Sequence, residues 1–536
     1  MKIATLPPTL NASTVIFAQL PSLPAGTRMD ITVSAADALG EVVPLLGIVC
    51  HEDTLAEDAN ISAADTALAG NLRRAIVDER FRARAGQSLI IHCQGRLPAE
   101  RLLLIGGGPR AGFAAADLRP AAGRASRAAA SVGAARFGLL YSRGNETRNS
   151  SAPDASAIAE LHCLAEGALL GSYRFDKYLS GDKRPATPPA SAVIFSRASD
   201  GAAANRAVSQ AQETARAVAM ARDLVNEPAG FLTPTRLADT ARALAGADGL
   251  ELIVLGPTEC RQRGMGLFLA VSQGSDEEPR FIHLAWKPAG ARKRVVLVGK
   301  GVTFDSGGLS LKTNEGMLDM KVDMAGAAAV ISAISAIARE KIPVEVHALA
   351  ACTENMPSGR SYKLGDVLRS MAGKTIEINN TDAEGRLTLA DALTYGLALK
   401  PDMVFDFATL TGACVVALGP HTAGVMSNND ALSAQWLGAA RAAGEEMWPL
   451  PLPGRLTDQL KSEIADMKNT GERWGGALTA GHFLKEFVGE TPWVHVDIAG
   501  PASTDKEFGH IGKGATGFAV ASILRFIRDL AAGSTS

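Results

Sequence analysis

The chain has 536 residues, 47% of them hydrophobic and 21% charged, which is enough apolar material for more than one domain core. A formal net charge of −2 excludes a global electrostatic attraction to nucleic acid or to an anionic membrane. Six cysteines (Cys50, Cys93, Cys163, Cys260, Cys352, Cys414) are scattered without metal-ligand spacing, which fits reduced thiols and a cytoplasmic location.

In chain order, Met1 to Leu20 carries one lysine, two adjacent prolines and no continuous apolar core, which argues against a signal peptide. No run of roughly 18 apolar residues is present to span a membrane. Ala114 to Arg136 is rich in Ala and Arg and reads as an exposed helix interrupted around Pro120 and Gly123. Its arginines, Arg119, Arg124, Arg127 and Arg136, are expected to form a solvated face, since no aromatics are interleaved for base stacking. Ser142 to Ala157 reads as a polar surface loop. A proline-bearing stretch, Ser180 to Ala190, then precedes the strand Ala192 to Phe195. The junction is placed near Asp200, dividing an amino-terminal α/β domain (1–199) from a larger second domain (200–536). Ala202 to Val225 is expected as the connecting helix (200–225 in all), ending before Pro228, which cannot continue it.

Strand-like runs follow at Leu250 to Leu255, Phe281 to Trp286, Val295 to Val298, Val344 to Leu349, Met403 to Phe407 and Trp493 to Ile498. Helical segments are expected at Ala325 to Glu340, Arg386 to Leu399, Ser433 to Glu446 and Gly517 to Leu530. This alternation predicts an α/β fold: a smaller α/β domain, then one with a mixed, mostly parallel sheet flanked by helices.

Three segments carry candidate chemistry. Arg294 to Gly299 reads as a buried parallel strand, and Lys300 to Lys312 as the loop after it, with glycines that permit sharp turns. Loops at the carboxyl ends of strands hold the ligands in open α/β sheets. Asp323 stands just before the Ala/Ile-rich helix, where a carboxylate can cap the helix or bind a cation. Residues 380 to 387 read Asn-Thr-Asp-Ala-Glu-Gly-Arg-Leu. In extended backbone Asp382 and Glu384 share one face, although the octet could equally be a polar turn feeding a helix. Together these segments supply Asp305, Asp323, Asp382 and Glu384, with Lys300, Lys312 and Arg386, and no His or Cys. Such an oxygen-rich set suits Mn, Zn or Mg, and a shared carboxylate allows two ions side by side. A lysine can join only as a neutral amine, its pKa forced below the usual value of about 10.4. The motif His-Glu-x-x-His is absent, and the nine histidines are expected to be structural or surface residues that do not cluster.

With these residues the chain resembles the leucyl aminopeptidase family of dinuclear metallopeptidases, whose signature is the octet Asn380 to Leu387. The resemblance extends to Gly299 to Lys312 with Asp323, to Asn226-Glu227-Pro228, to Gly264 to Asp276, to Ala408 to Ala413, to Ala465 to Asn469 and to His495 to Gly500. It covers roughly residues 160 to 530 and implies the two-domain α/β layout, a cytoplasmic homohexamer, peptide substrates and two divalent metal ions. It further implies that Asp305, Asp382 and Glu384 hold one ion, and that Lys300, Asp305, Asp323 and Glu384 hold the other. Lys312 and Arg386 would be the catalytic cations, with bicarbonate beside the arginine as proton acceptor and a hydroxide between the ions as nucleophile. Met320, Thr409 and Leu410 would contact the substrate, favouring Leu- or Met-like first residues. The chain departs from the family pattern at Gly230, Glu472, Trp474 and His482, positions that bear on specificity. The resemblance also admits a Cys-Gly dipeptidase on the same site, or a hexameric scaffold that binds DNA, as in some bacterial relatives.

Overall fold

Two helix-covered β-sheets organise the protein in the computed structural model, which describes residues 29–143, 155–198 and 201–533. Met1 to Leu20, most of the polar segment within Ser142 to Ala157, and the junction at Asp200 lie outside the described residues.

Among the described residues the first sheet has six strands, in the order Asp30–Ser34, Ser191–Phe195, Arg136–Tyr141, Leu45–Cys50, Arg101–Gly106, Ser88–His92. Only the last pair is antiparallel. Leu45–Cys50 is buried at every position, as a central strand covered on both faces must be. The second sheet has eight strands, and at its centre Trp493–Asp497, Met403–Ala408, Arg294–Asp305 and Glu345–Asn355 run parallel. Antiparallel neighbours flank this centre on both sides, at Ala423–Ser427 and Arg280–Trp286. The mixed sheet expected from the alternating pattern is therefore present.

The helix Ala202–Asn226 joins the two sheets. Its Ala211, Ala215 and Val218 belong to one continuous apolar core that includes Phe137 and Leu139 of the first sheet and Phe405 and Val496 of the second. The stretch Asn314–Arg339 is long and apolar enough to cross a membrane, but 83% of its apolar window is buried inside the molecule, where Ala325–Arg339 forms a core helix.

Three sequence expectations are corrected, and one left open is decided. The helix in the Ala/Arg-rich segment, Leu118–Ser131, is continuous and largely buried. Pro120 sits in its first turn, where no backbone donor is required. Gly123 is a contact point: a Cβ on Gly171 of the helix Ala155–Ser172 would lie 2.5 Å from the Gly123 Cα. Arg119 is likewise not solvated. It is 4% exposed and its Nε meets Glu166 Oε2 at 2.9 Å.

Second, two histidines do cluster. His283 and His347 lie 2.9 Å apart, nitrogen to nitrogen, on neighbouring strands. The partners assign a directional chain: Tyr395 O–H donates to His283 Nδ1, His283 Nε2 donates to His347 Nδ1, and His347 Nε2 donates to Glu345. Burial and then His347 push His283 down to about 3, so the chain carries neutral imidazoles.

Third, the strand beginning at Arg294 runs on to Asp305, so Lys300 stands on a strand and not in a loop. Gly299 serves close approach there, since a Cβ would lie 2.4 Å from the Gly326 carbonyl oxygen of the core helix. The turn comes later, at Gly307 and Gly308, with φ of 87° and 62°. Of the two readings of the octet, the turn feeding a helix is the one found: Asp382 lies in a turn, and Glu384 is in helical conformation immediately before the helix Gly385–Leu397. Their shared face is made by that turn.

Burial opposes the Glu166 charge, but Arg119 and His162 outweigh it and hold the carboxyl down at about 2, against an ordinary 4.5. Glu166 therefore contributes stability above about pH 4.5 that is lost as pH falls toward about 2. Glu166→Ala, which strands the Arg119 guanidinium, is expected to cost about 3–5 kcal/mol in urea unfolding at neutral pH. A cost under about 1 kcal/mol would show that the pair is not a stabilising contact.

Candidate active site

The carboxyl ends of the two central strands, Arg294–Asp305 and Glu345–Asn355, bring the site together. Asp305 and Asn355 close these strands as register partners. After Asp305 the chain turns at Gly307 and Gly308 and carries Lys312 back over the strand ends, where Lys312 N–H donates to the Ser306 carbonyl at 3.0 Å. The octet arrives from the opposite side. The Thr381 hydroxyl donates to the Gly307 carbonyl at 2.7 Å and accepts from Ser310 N–H at 2.8 Å.

Asp305, Asp382 and Glu384 converge, with oxygens that all lie within 4.8 Å of one another. Lys312 Nζ bridges Asp305 Oδ2 at 2.8 Å and Asp382 Oδ1 at 2.5 Å. Lys300 Nζ contacts Asp323 Oδ1 at 2.7 Å, Glu384 Oε1 at 2.8 Å and the Thr409 carbonyl at 3.1 Å. Asp323 does not cap the core helix. It lies within a 3-10 turn, Met320–Met324, and accepts from the Thr409 hydroxyl at 2.7 Å. All four acids and both lysines expected from sequence thus share one cluster. Asp305, Asp323, Glu384 and Lys300 are each at most 3% exposed.

Electrostatics follow from that crowding. Burial pushes Asp323 well up, and burial followed by Asp305 pushes up Asp382 and Glu384. Burial also opposes the Lys300 charge, but Asp323, Glu384 and Asp305 outweigh it and hold its pKa above the ordinary value. The two directions coexist because four carboxylates share two ammonium groups. Every cation present is claimed, and negative charge remains in excess. Asp323 Oδ2 is buried without a hydrogen-bond partner among the described residues. A donor set of this kind fits divalent cations, which would supply the missing positive charge to oxygen ligands.

Arg386 stands apart from the acids. Its Nη1 donates to the Asn469 carbonyl at 2.9 Å, while its Nε has no partner among the described residues. Burial pushes its pKa down to about 10, with Glu384 opposing. Leu410 N–H donates to Asp497 Oδ1 at 3.1 Å, and Thr411 donates to the same carboxylate through its hydroxyl at 2.7 Å. Met320 is half-buried on the turn that carries Asp323. Among the departures, His482 is buried with Nε2 against the Pro453 carbonyl at 3.0 Å. Trp474 is 73% exposed, Glu472 is exposed, and Gly230 has open space where a side chain would go.

Sequence reasoning missed Asn355. Its side-chain amide donates to Asp305 Oδ1 at 2.9 Å and to the Thr381 carbonyl at 3.0 Å, with Glu384 Oε2 at 3.4 Å. It also missed the use of Asn469, which accepts from Asn379 N–H and donates to the Asn380 carbonyl, pinning the octet. The available signal was an asparagine ending a buried parallel strand.

A two-domain α/β protein with a buried, cation-seeking carboxylate cluster at the strand ends is the class these features define. Comparison with known families is more specific. Residues 219–524 match the catalytic domain of the cytosol aminopeptidase family, and residues 42–182 match its N-terminal domain. Probable cytosol aminopeptidases from Cyanothece sp. and Geobacter sp. are each 42% identical to this chain, over 93% of it and 99% and 100% of their own lengths. A mutant of tomato leucine aminopeptidase superposes with a TM-score of 0.84 at 34% identity, covering 94% of this chain and 97% of that one. A bottromycin maturation enzyme in complex with Mn gives 0.78 at 36% identity, covering 91% and 100%. The chain belongs to the cytosol aminopeptidase family. It is accordingly a metal-dependent aminopeptidase.

Proposed function

We propose that Asp305, Asp382 and Glu384, with the Asp382 carbonyl, hold one divalent ion, and that Lys300, Asp305, Asp323 and Glu384 hold a second. The observation that carries this assignment is the convergence of three carboxylates within 4.8 Å beside a fourth acid and two lysines. Manganese is the first choice, supported by the relative solved with Mn, and zinc and magnesium share the same oxygen chemistry. When bound, such ions supply Lewis-acid activation of water and of the scissile carbonyl, and an electron-pair acceptor for a free α-amine.

The chain's own groups then divide the remaining work. Lys312 is half-buried and rests on Asp305 and Asp382, so it can turn to a substrate carbonyl oxygen and stabilise charge growing there. Arg386, with its unpartnered Nε, is assigned to hold a bicarbonate anion as proton acceptor. Asp497 fixes the backbone at Leu410 and Thr411, so that Thr409, Leu410 and Met320 form the wall that receives the first residue of a peptide. Half-buried Met320 and Leu410 suit Leu- or Met-like side chains, with selectivity of about 1–3 kcal/mol per methylene.

We further infer a cytoplasmic homohexamer, with the amino-terminal half ending at residue 199. Six buried, unbridged cysteines support the compartment. The helix Gly412–Leu418 buries only Cys414 and leaves Val416 89% exposed, so this stretch is a surface open to an intersubunit contact rather than a single-chain core.

Leu amide is expected to be cleaved while its N-acetyl derivative is not, because acetylation removes the basic amine that marks the substrate's end. Equal rates on the two would eliminate the exopeptidase reading. Asp382→Ala and Glu384→Ala are each expected to lose bound metal together with activity. Elemental analysis finding the parent's metal content in both would remove these residues from the ligand set, and the parent protein's own content identifies the ion. Light scattering at micromolar concentration should give a mass of a hexamer of 55.7 kDa chains, and a fully active monomer would reject the assembly.

A further inference from the structure

Lys321 lies between Met320 and Asp323, yet its ammonium takes no part in the carboxylate cluster. Its Nζ donates to the backbone carbonyl of Asn226 at 2.7 Å. Asn226 is the last residue of the 25-residue connecting helix Ala202–Asn226. The final carbonyls of a helix lack intrahelical donors and carry the negative end of its dipole, so a cation is favoured there.

The same residue is fixed from other sides. Asn226 Nδ2 donates to the Tyr173 hydroxyl at 3.2 Å, and its Oδ1 accepts from Ala515 N–H at 3.0 Å. A Cβ on Gly514 would lie 2.5 Å from that Oδ1, so the asparagine side chain packs directly against the Gly514 backbone. Tyr173 O–H in turn donates to Asp223 at 2.8 Å. The next residue, Glu227, accepts from Lys177 Nζ at 2.6 Å and from Tyr178 O–H at 2.5 Å. Tyr173, Lys177 and Tyr178 all fall in the stretch matched by the family's N-terminal domain, 42–182.

The turn Met320–Met324 has no side-chain cap at its start, and 3-10 segments are weak in isolation. External contacts therefore set its position. Asp323 ties it to Lys300 and Thr409 on one side, and Lys321 ties it to the joint between the two halves on the other.

We propose that Lys321 is a positioning residue through which the amino-terminal half, acting by Tyr173 and Asn226, fixes the turn that presents Met320 and Asp323 to the active site. This gives the amino-terminal half a part in shaping the pocket, and it rests on the reading of Asp323 as a metal ligand and Met320 as pocket wall.

Lys321→Met removes the ammonium and keeps an unbranched apolar stem. In this variant the weaker of two manganese-binding steps, titrated by calorimetry without substrate, is expected to lose about ten-fold in affinity, the effect typical of removing an outer support of a ligand. KM for Leu amide should rise several-fold with a smaller change in kcat, and Lys321→Arg should restore both. Tyr173→Phe, at the far end of the chain of contacts, should shift KM the same way, and less so when Lys321 is already Met. Parent manganese affinity and KM in Lys321→Met overturn the proposal, and so does a lower Tm with both values unchanged. Asp323→Asn is titrated alongside. If it binds two ions like the parent, the ligand reading fails separately, and Lys321 is then decided on KM, where an unchanged value rejects it.

Discussion

Asp305, Asp323, Asp382 and Glu384 are drawn into one largely buried space, and their mutual repulsion is the term that the surrounding structure has to offset. Lys300 and Lys312 each bridge two of the four acids. Neutral donors add to the lysines: Asn355 and Gly307 N–H on Asp305 Oδ1, and the Thr409 hydroxyl on the same Asp323 oxygen that Lys300 contacts. Bringing these groups together requires backbone approaches that a side chain would block. A Cβ on Gly385 would lie 2.5 Å from the Lys300 stem, and one on Gly326 would lie 2.0 Å from the Phe407 carbonyl. The glycines near the site are thus there mainly so that a helix, a strand and a lysine can occupy adjoining space.

Placing Lys300 on a central strand has a further consequence. Its backbone is held by pairing with Ala351 in a sheet whose interior is apolar, so the amine starts from a fixed point. Asp305 and Asn355 close the same two strands. The octet is independently anchored through Thr381 to the Gly307 turn and through Asn469 to a short strand at Met467–Lys468. Donor positions set by rigid elements suit ligands that must meet small ions, where placement matters at the scale of about half an ångström.

Much of this was legible in the sequence. The short apolar runs and the helical segments placed the strands at Phe281, Val295, Met403 and Trp493 and the helix after Asp323, because buried strands and apolar helices leave local patterns. The acids and lysines of the pocket were legible as a set because charged residues among glycines and valines have few structural uses. What stayed hidden depends on pairing across distance. The strand ends at Asp305 and Asn355 contain Lys, Gly, Thr and Glu that mimic a loop, and only their long-range register makes them a ladder. Arg119 looks like a surface arginine until Glu166, 47 positions later, arrives beside it across a glycine-lined helix contact. The two histidines are 64 residues apart and meet only because their strands are neighbours.

That last pair shows how unlike two polar clusters in one sheet can be. The Tyr395–His283–His347–Glu345 chain satisfies itself: each ring nitrogen has one partner, and burial keeps His283 neutral. Nothing in it calls for a further ligand. Around the carboxyl ends of Arg294–Asp305 and Glu345–Asn355, the second of which carries His347 near its start, Asp323 retains an unpartnered buried oxygen and four carboxylates share two lysines. Both clusters are buried and both lie on the central sheet, so burial alone does not mark a reactive site. The difference is whether donors and acceptors close on one another. The histidine chain closes and acts as internal cement, whereas the carboxylate cluster stays open to added positive charge, and that openness is what a metal-dependent peptidase site requires.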